Sequence, residues 1–356
     1  VQSSGEHFIS NWNQLKIDWT MSYIKLNHNE PDLRFFNSDF RVFNGDTIYG
    51  INPSFYPVPA RYYREMQEYN LVGDVHFSMP LALGNLNPKL KFGGSYNYKS
   101  RNSDERKYDY RDLNQSFNGD VSEYIADDNI GSDAPGVYGV FVENSKNTDQ
   151  INSYNGYQGV IGAYVLLDMA VLKKLRAVAG VRLENTDLFV ENKITKTHSK
   201  YDKGELNQLD FLPSVNLTYS VKENMNVRMG YSKTIARPFF REIAPYAAYD
   251  FRAGYRVLGN PGIQRSIIHN YDIRWEWFMR PGEILSLSGF YKDFIGAIER
   301  IDNVNAVNTE ITYINTNASV MGIELEFRKK LDFVSFLRNM NVGFNVSLIK
   351  SEVKLT

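Results

Sequence analysis

The sequence predicts an all-β protein, a transmembrane antiparallel up-and-down β-barrel. Three observations predict it. Apolar and polar residues alternate along one stretch after another. The connections between those stretches are long and short in turn. No run of about 18 apolar residues is present, so no helix is long and apolar enough to span a bilayer. In a strand, successive side chains point to opposite faces, so an alternating stretch has one apolar face and one polar face. The polar phases carry too many charges for a dry core. A barrel in lipid accommodates both faces: apolar and aromatic residues outward, charges toward a polar lumen.

Eleven strands follow in order. In 13–26, Leu15, Ile17, Trp19, Met21 and Tyr23 oppose Lys16, Asp18, Thr20 and Ser22. In 66–78, Tyr69, Leu71, Val75 and Phe77 oppose Asn70, Asp74 and His76. In 88–100, Leu90, Phe92, Tyr96 and Tyr98 oppose Lys89, Lys91, Ser95 and Asn97. A strand over 156–168 precedes 174–188, where Leu175, Ala177, Ala179, Val181 and Leu183 oppose Arg176, Arg182 and Glu184. Strands at 209–221 and 225–236 are separated by the tight turn Lys222-Glu223-Asn224. In 267–279, Tyr271, Ile273, Trp275 and Trp277 oppose Asp272, Arg274 and Glu276; Arg280-Pro281-Gly282 then turns the chain into 283–294. In 318–329, Met321, Ile323, Leu325 and Phe327 oppose Glu324, Glu326 and Arg328, and 340–350 carries Val342, Phe344, Val346 and Leu348. The odd connections, 27–65, 101–155, 189–208, 237–266 and 295–317, are the long ones. Outer-membrane barrels put long loops outside the cell and short turns in the periplasm, so these five are expected outside.

Composition agrees. The chain of 356 residues has 24 Tyr and 22 Phe, suited to interfacial girdles, and no Cys, which excludes disulfides and thiolate metal sites. Net charge of −1 gives no argument for nucleic acid. Mean hydropathy is −0.40, which alternation produces in a barrel as readily as in a soluble protein. No signal peptide is visible at Val1. Eleven strands is an odd number, and an open edge leaves backbone groups unsatisfied in lipid. Residues 1–356 are therefore expected to be one barrel segment of a longer polypeptide.

A family resemblance rests on an ordered set of motifs. Leu212-Pro213-Ser214-Val215-Asn216-Leu217-Thr218-Tyr219 is followed by the run from Asn226 through Tyr231-Ser232-Lys233-Thr234-Ile235-Ala236-Arg237-Pro238. Phe240-Arg241-Glu242-Ile243-Ala244-Pro245, Gly259-Asn260-Pro261, Phe290-Tyr291-Lys292, Gly180-Val181-Arg182-Leu183-Glu184 and Gly322-Ile323-Glu324-Leu325-Glu326 complete it. The set, over roughly 175–330, resembles the TonB-dependent outer-membrane receptors. The Ala244-Pro245-Tyr246 and Tyr249-Asp250-Phe251 style is most similar to receptors of Bacteroidetes-type bacteria. The resemblance implies a barrel of about 22 strands around a plug domain; no plug or TonB box is recognisable in this sequence. It also implies active uptake of a scarce nutrient (siderophore, corrinoid, glycan or peptide), not enzymatic activity. The implied partners are outer-membrane lipid, an extracellular ligand and a TonB-type energy-coupling protein acting through the plug, with a surface lipoprotein as a further candidate. A passive porin or an adhesive surface barrel is the alternative.

Candidate residues fall into two groups. Tyr62, Tyr108, Tyr110, Tyr246, Tyr249 and Tyr255 crowd the long connections and could stack on a ligand; packing within the loops is the plainer reading. Lys91, Arg182, Glu184, Asp272, Arg274, Glu276, Glu324 and Glu326 are expected to face the lumen and hold a plug. Glu324 and Glu326 lie two apart, and as neighbouring lumen charges they need no glycosidase chemistry. Asp127, Asp128 and Asp133 could supply calcium oxygens, but their spacing does not fit a twelve-residue calcium loop, and a solvated acidic loop suffices. The five histidines show no metal spacing, and His76 and His269 are placed on the barrel wall. Arg237-Pro238 and Gly259-Asn260-Pro261 are read as loop-shaping. No catalytic residue, cofactor or metal is expected.

Overall fold

The computed structural model describes residues 1–51, 59–83, 86–112, 117–131, 140–144, 153–193, 203–250, 254–302 and 310–354. Eighteen strands are present among them. The first half of the chain holds β1 (Gln2–Ile9), β2 (Leu15–Phe35), β3 (Asp39–Phe43), β4 (Asp46–Gly50), β5 (Ala60–Pro80), β6 (Lys89–Asp112), β7 (Ile130–Gly131), β8 (Val140–Asn144) and β9 (Tyr154–Leu172). The second half holds β10 (Leu175–Asn192), β11 (Lys203–Lys222), β12 (Met225–Ala236), β13 (Ala247–Asp250), β14 (Tyr255–Leu258), β15 (Ser266–Trp277), β16 (Ile284–Asp302), β17 (Glu310–Lys330) and β18 (Asn341–Lys354). Two one-turn helices, α1 (Val121–Tyr124) and α2 (Phe240–Ile243), sit in long connections.

Twelve strands pair antiparallel with their sequence neighbours into one wall, in the order β1-β2-β5-β6-β9-β10-β11-β12-β15-β16-β17-β18. The eleven expected strands are all there, and β1 is an addition. Its sequence, QSSGEHFI, hides it: the polar residues Gln2, Ser3, Ser4, Glu6 and His7 fall in both phases. The long connections are also shorter than expected, because strands run far past the alternating stretch. β6 spans 24 residues and β5 spans 21, against the 9–11 a membrane needs. Beyond the lipid both faces meet water or protein, so alternation fades while ladder hydrogen bonds continue. In the first long connection, β3 and β4 form a hairpin closed by Asn44-Gly45, at φ of 51° and 90°. Asn-Gly is the pair that tolerates two positive φ values.

Register turns alternation into a measurable band. Directly paired residues share a face. The outward row Met229–Ile273–Gly289–Ile323–Leu348 has no charge, and the row Val227–Trp275–Leu287–Leu325–Val346 has none either. On one side of these rows Tyr231, Tyr271 and Tyr291 pack in sequence with tilted rings, centroids 5.2 and 6.2 Å apart. The next row out is Lys233–His269–Asp293–Ser319–Glu352. On the other side the band ends at Glu283 and Lys329, joined at 2.8 Å. Glu283 to Asp293 is ten residues, roughly 34 Å along a strand at 3.4 Å each. A tilt near 40° reduces this to about 26 Å, close to the 25 Å apolar band of outer-membrane barrels. The tyrosine belt continues round the wall through Tyr23–Tyr69, Tyr96–Tyr98 and Tyr98–Tyr157 to Phe189.

The turn after β15 carries a charged cluster at the other rim. Arg280 binds Glu283 at 2.6 Å and Asp332 at 2.7 Å, and Glu283 is 1% exposed. Hydrogen bonds from Arg280 and then Lys329 hold the Glu283 carboxyl down at about 2, below its ordinary 4.5. A carboxylate whose folded value is depressed stabilises the fold above its unfolded value and loses that contribution as pH falls through the folded one. Glu283→Gln is therefore expected to lower the melting temperature at pH 7. The gap to wild type should close between about pH 4.5 and pH 2. Circular-dichroism melts of the refolded protein across that range check it.

Candidate site at the lumen mouth

The inner face is polar and largely neutralised by its own pairs. Arg182 donates to Glu184 at 2.5 Å and to Ser95 at 2.6 Å. Glu184 also takes the guanidinium of Arg237, whose Nε donates to Thr186 at 2.7 Å. Arg265 grips both oxygens of the buried Asp210, at 2.6 and 2.8 Å. A second group lies across β12, β15 and β17. Arg228 and Arg274 meet Glu276 at 2.8 and 2.9 Å, and Arg274 reaches Glu326 at 2.9 Å, which also takes Arg328. Two pairs of like-charged neighbours are thus interleaved with opposite charge, which a partly buried polar wall requires. Asp272, Glu324 and Lys91 are on the same inner face but form no ion pair among the described residues.

Arg237 does more than the end of a strand requires. Pro238 stops β12, since it cannot donate to a ladder, and the chain folds back over the inner wall. Phe240, Ile243, Ala244, Tyr246 and Ala248 bury themselves against Tyr154, Leu188, Val190 and Leu206 of β9–β11. Glycine makes room: a Cβ on Gly204 would stand 2.5 Å from the Ile243 carbonyl, and one on Gly156 3.3 Å from the Phe240 ring. Asn260 locks the return, its backbone N–H donating to Glu242 O at 2.8 Å and its side chain to Tyr313 O at 2.8 Å. Gly259-Asn260-Pro261 thus shapes the loop, as its turn chemistry suggests. Only the apolar residues of Phe240–Ile243 hinted at this infold, and nothing in the sequence named its partners.

Two clefts flank the infolded segment. The first, about 380 Å³, is bounded by Lys99, Arg101, Arg182, Glu184, Arg237 and Phe240, with Asn97 and Gln158 beside them. The second, about 300 Å³, adjoins it at Arg101 and contains Glu30, Arg64, Glu105, Arg241 and Tyr249. Arg101 joins the two: it pairs with Glu68 at 2.6 Å, donates to the Tyr154 hydroxyl at 3.3 Å and lies 5.3 Å over the Phe240 ring. Further out, Asp32 sits between Arg61 at 2.8 Å and Arg34 at 2.8 Å, and the Arg61 hydrogen bond holds its carboxyl at about 2.

The structure does not bring the six candidate tyrosines together. Tyr62, Tyr110 and Tyr246 are buried. Tyr62 lies under Arg64 at 5.0 Å, Tyr110 packs with Phe117 and Tyr124, and Tyr246 stacks on Tyr154 at 5.2 Å. Burial pushes the Tyr246 hydroxyl above its ordinary range. Tyr108 meets Tyr63 edge-on and Tyr249 meets Phe35 edge-on, while Tyr255 packs on the Val257–Tyr313 cluster. Of the six, Tyr246 and Tyr249 border the second cleft. His76 faces the lumen, 2.9 Å from the Tyr164 hydroxyl, and His269 faces outward beside Tyr231 at 3.1 Å. Among the described residues no three His, Cys, Asp or Glu side chains could hold a metal ion. Asp128 is exposed; Asp133, like His198, lies outside the described residues.

An open antiparallel wall with a lipid band, a tyrosine belt and an ion-paired lumen defines the outer-membrane barrel class. The sequence matches the family described as TonB dependent receptor-like, beta-barrel, over residues 4–353, and the chain belongs to that family. Its place is the outer membrane of Gram-negative bacteria. No curated protein matches it in sequence. Among solved structures, the ferripyoverdine receptor of the Pseudomonas aeruginosa outer membrane is similar at 14% identity and a TM-score of 0.58, covering 99% of this chain and 40% of that one. The siderophore receptor PirA of the same organism gives 13%, 0.54, 99% and 56%. The copper transporter OprC gives 12%, 0.58, 95% and 44%. The chain thus spans about half the length of these structures, and at such identity the likeness shows the fold alone.

Proposed function

We propose that the chain is barrel wall from a TonB-dependent transporter that takes up a scarce nutrient across the outer membrane and does no chemistry on it. One observation carries the reading: in a wall belonging to this family, the long-connection end of the lumen is narrowed by a fixed infold and bordered by charged clefts. Since a selective pore can also carry a charged constriction, it is membership of this family that favours the transporter reading over a passive pore. Asp272, Glu324 and Lys91 are inward charges without ion pairs among the described residues, and so are candidates to meet a plug. The Ala244-Pro245-Tyr246 style supports a Bacteroidetes-type source. Siderophore, corrinoid, glycan and peptide cargo are all compatible with it.

The test is growth of a strain deleted for the full-length gene on each nutrient class at limiting concentration. Growth on one class should fail, return with the gene, and fail again when the TonB-type protein is removed. Restoration without that protein would indicate a passive porin, and ligand binding without uptake an adhesin. Orientation has its own check. In intact cells an impermeant thiol reagent should label Asp128→Cys, in the long connection after β6, and leave Asn224→Cys, in the tight turn before β12, unlabelled. Equal labelling would reverse or remove the orientation.

A further inference from the structure

The cleft of about 380 Å³ lies within the size range of small-ligand sites. Its charge is lopsided. Lys99, Arg101, Arg182 and Arg237 border it, against one carboxylate, Glu184. Both oxygens of Glu184 are already taken, by Arg182 and by Arg237. Arg101 is held by Glu68, which is 5% exposed and also feels the charge of Lys99. Counting Glu68 as well, four cations face two carboxylates, leaving an excess of two positive charges. Lys99 is the clearest part of that excess. It is half-buried, its register partner is Asn70, and it has no ion pair or hydrogen bond among the described residues. Asn97 and Gln158 add neutral hydrogen-bonding groups, and Phe239, 73% exposed, adds an open apolar surface. Tyr98 and Tyr157 point outward from the same stretches into the belt, so the cleft sits level with the upper edge of the lipid band.

We infer that this cleft binds a small organic anion bearing at least two carboxylate or similar oxyanion groups on a partly apolar frame. Lys99 takes one anionic group as a point charge. The outer N–H groups of Arg182 or Arg237 take a second without giving up Glu184, since a guanidinium has five donors. Phe239 covers the frame. A neutral glycan would leave the excess positive charge of the cleft partly desolvated and uncompensated, which selects against it. The inference rests on the uptake reading and narrows its cargo to anionic solutes.

The probe is benzene-1,3,5-tricarboxylate, titrated calorimetrically into the purified full-length receptor at low ionic strength, with neutral maltotriose as control. Binding of the tricarboxylate and none of maltotriose is expected. Lys99→Gln should weaken binding about tenfold or more, the loss typical of a charged hydrogen bond. Lys99→Arg should stay within about threefold of wild type, which separates lost charge from lost fold. The titration is an equilibrium measurement and needs no energised membrane, so it stands or falls separately from the TonB-dependence of growth. Absent binding, or equal affinity in wild type and Lys99→Gln, overturns the inference. So does a Lys99→Gln protein of unchanged affinity whose plug is cut faster by trypsin, because Lys99 would then hold a plug carboxylate.

Discussion

Trp275→Arg is expected to cost about 2–4 kcal/mol of folding stability, the penalty for a cation on the lipid face near the midplane. Trp275 lies in the charge-free row Val227–Trp275–Leu287–Leu325–Val346, well inside the band. The comparison is its neighbour Arg274, on the opposite face. Arg274→Trp removes a partner from Glu276 and Glu326, but each keeps another arginine, Arg228 and Arg328 respectively. The loss at 274 should therefore be the smaller one. Urea titrations of the protein folded into bilayers measure both. Equal destabilisation would mean that the two faces do not differ as lipid and lumen.

The second large effect is expected at Arg265. Asp210 is 1% exposed, and both its oxygens accept from Arg265. Removing one partner of a buried pair leaves an uncompensated charge, which costs about 3–5 kcal/mol. Arg265→Met should show that loss in the same titrations. Arg265→Met combined with Asp210→Asn should recover much of it, because the orphaned charge is then gone. A double variant as unstable as the single one would show that Arg265 matters through packing.

These two residues also mark how far the sequence could be read. Trp275 and Arg274 were assignable to opposite faces from alternation, because in lipid a strand must sort its side chains by polarity and nothing else competes. The same holds for the eleven strands where one face is apolar. β1 lacked that sorting, and so did the outer parts of β5 and β6, where Tyr62, Arg64, Glu105 and Lys107 point inward among polar neighbours on both faces. Arg265 and Arg237 were beyond sequence reading. Each sits at a loop boundary and finds its carboxylate more than fifty positions away in sequence. Register between distant strands brings them together, and composition does not encode register. The loop tyrosines illustrate the converse: their number was evident, but whether a ring is buried away from both clefts, like Tyr110, or borders one, like Tyr249, depends on how the long connections fold back.

The paired row Met79–Leu90–Leu167–Ala179–Val215–Tyr231–Tyr271–Tyr291 has a further consequence. It starts beside the short turn after β5 and reaches the tyrosine belt by β12, so hydrogen-bonded rows climb obliquely around the wall. Each strand is thus offset from the last, and the bilayer cuts every strand at a different point in its pairing. A single residue inserted within a strand would turn every later side chain of that strand to the wrong face. An insertion past the belt meets no such constraint. The architecture therefore divides into a chassis that resists change in length and an outer rim free to vary, so that loop sequence can be exchanged without disturbing residence in the membrane.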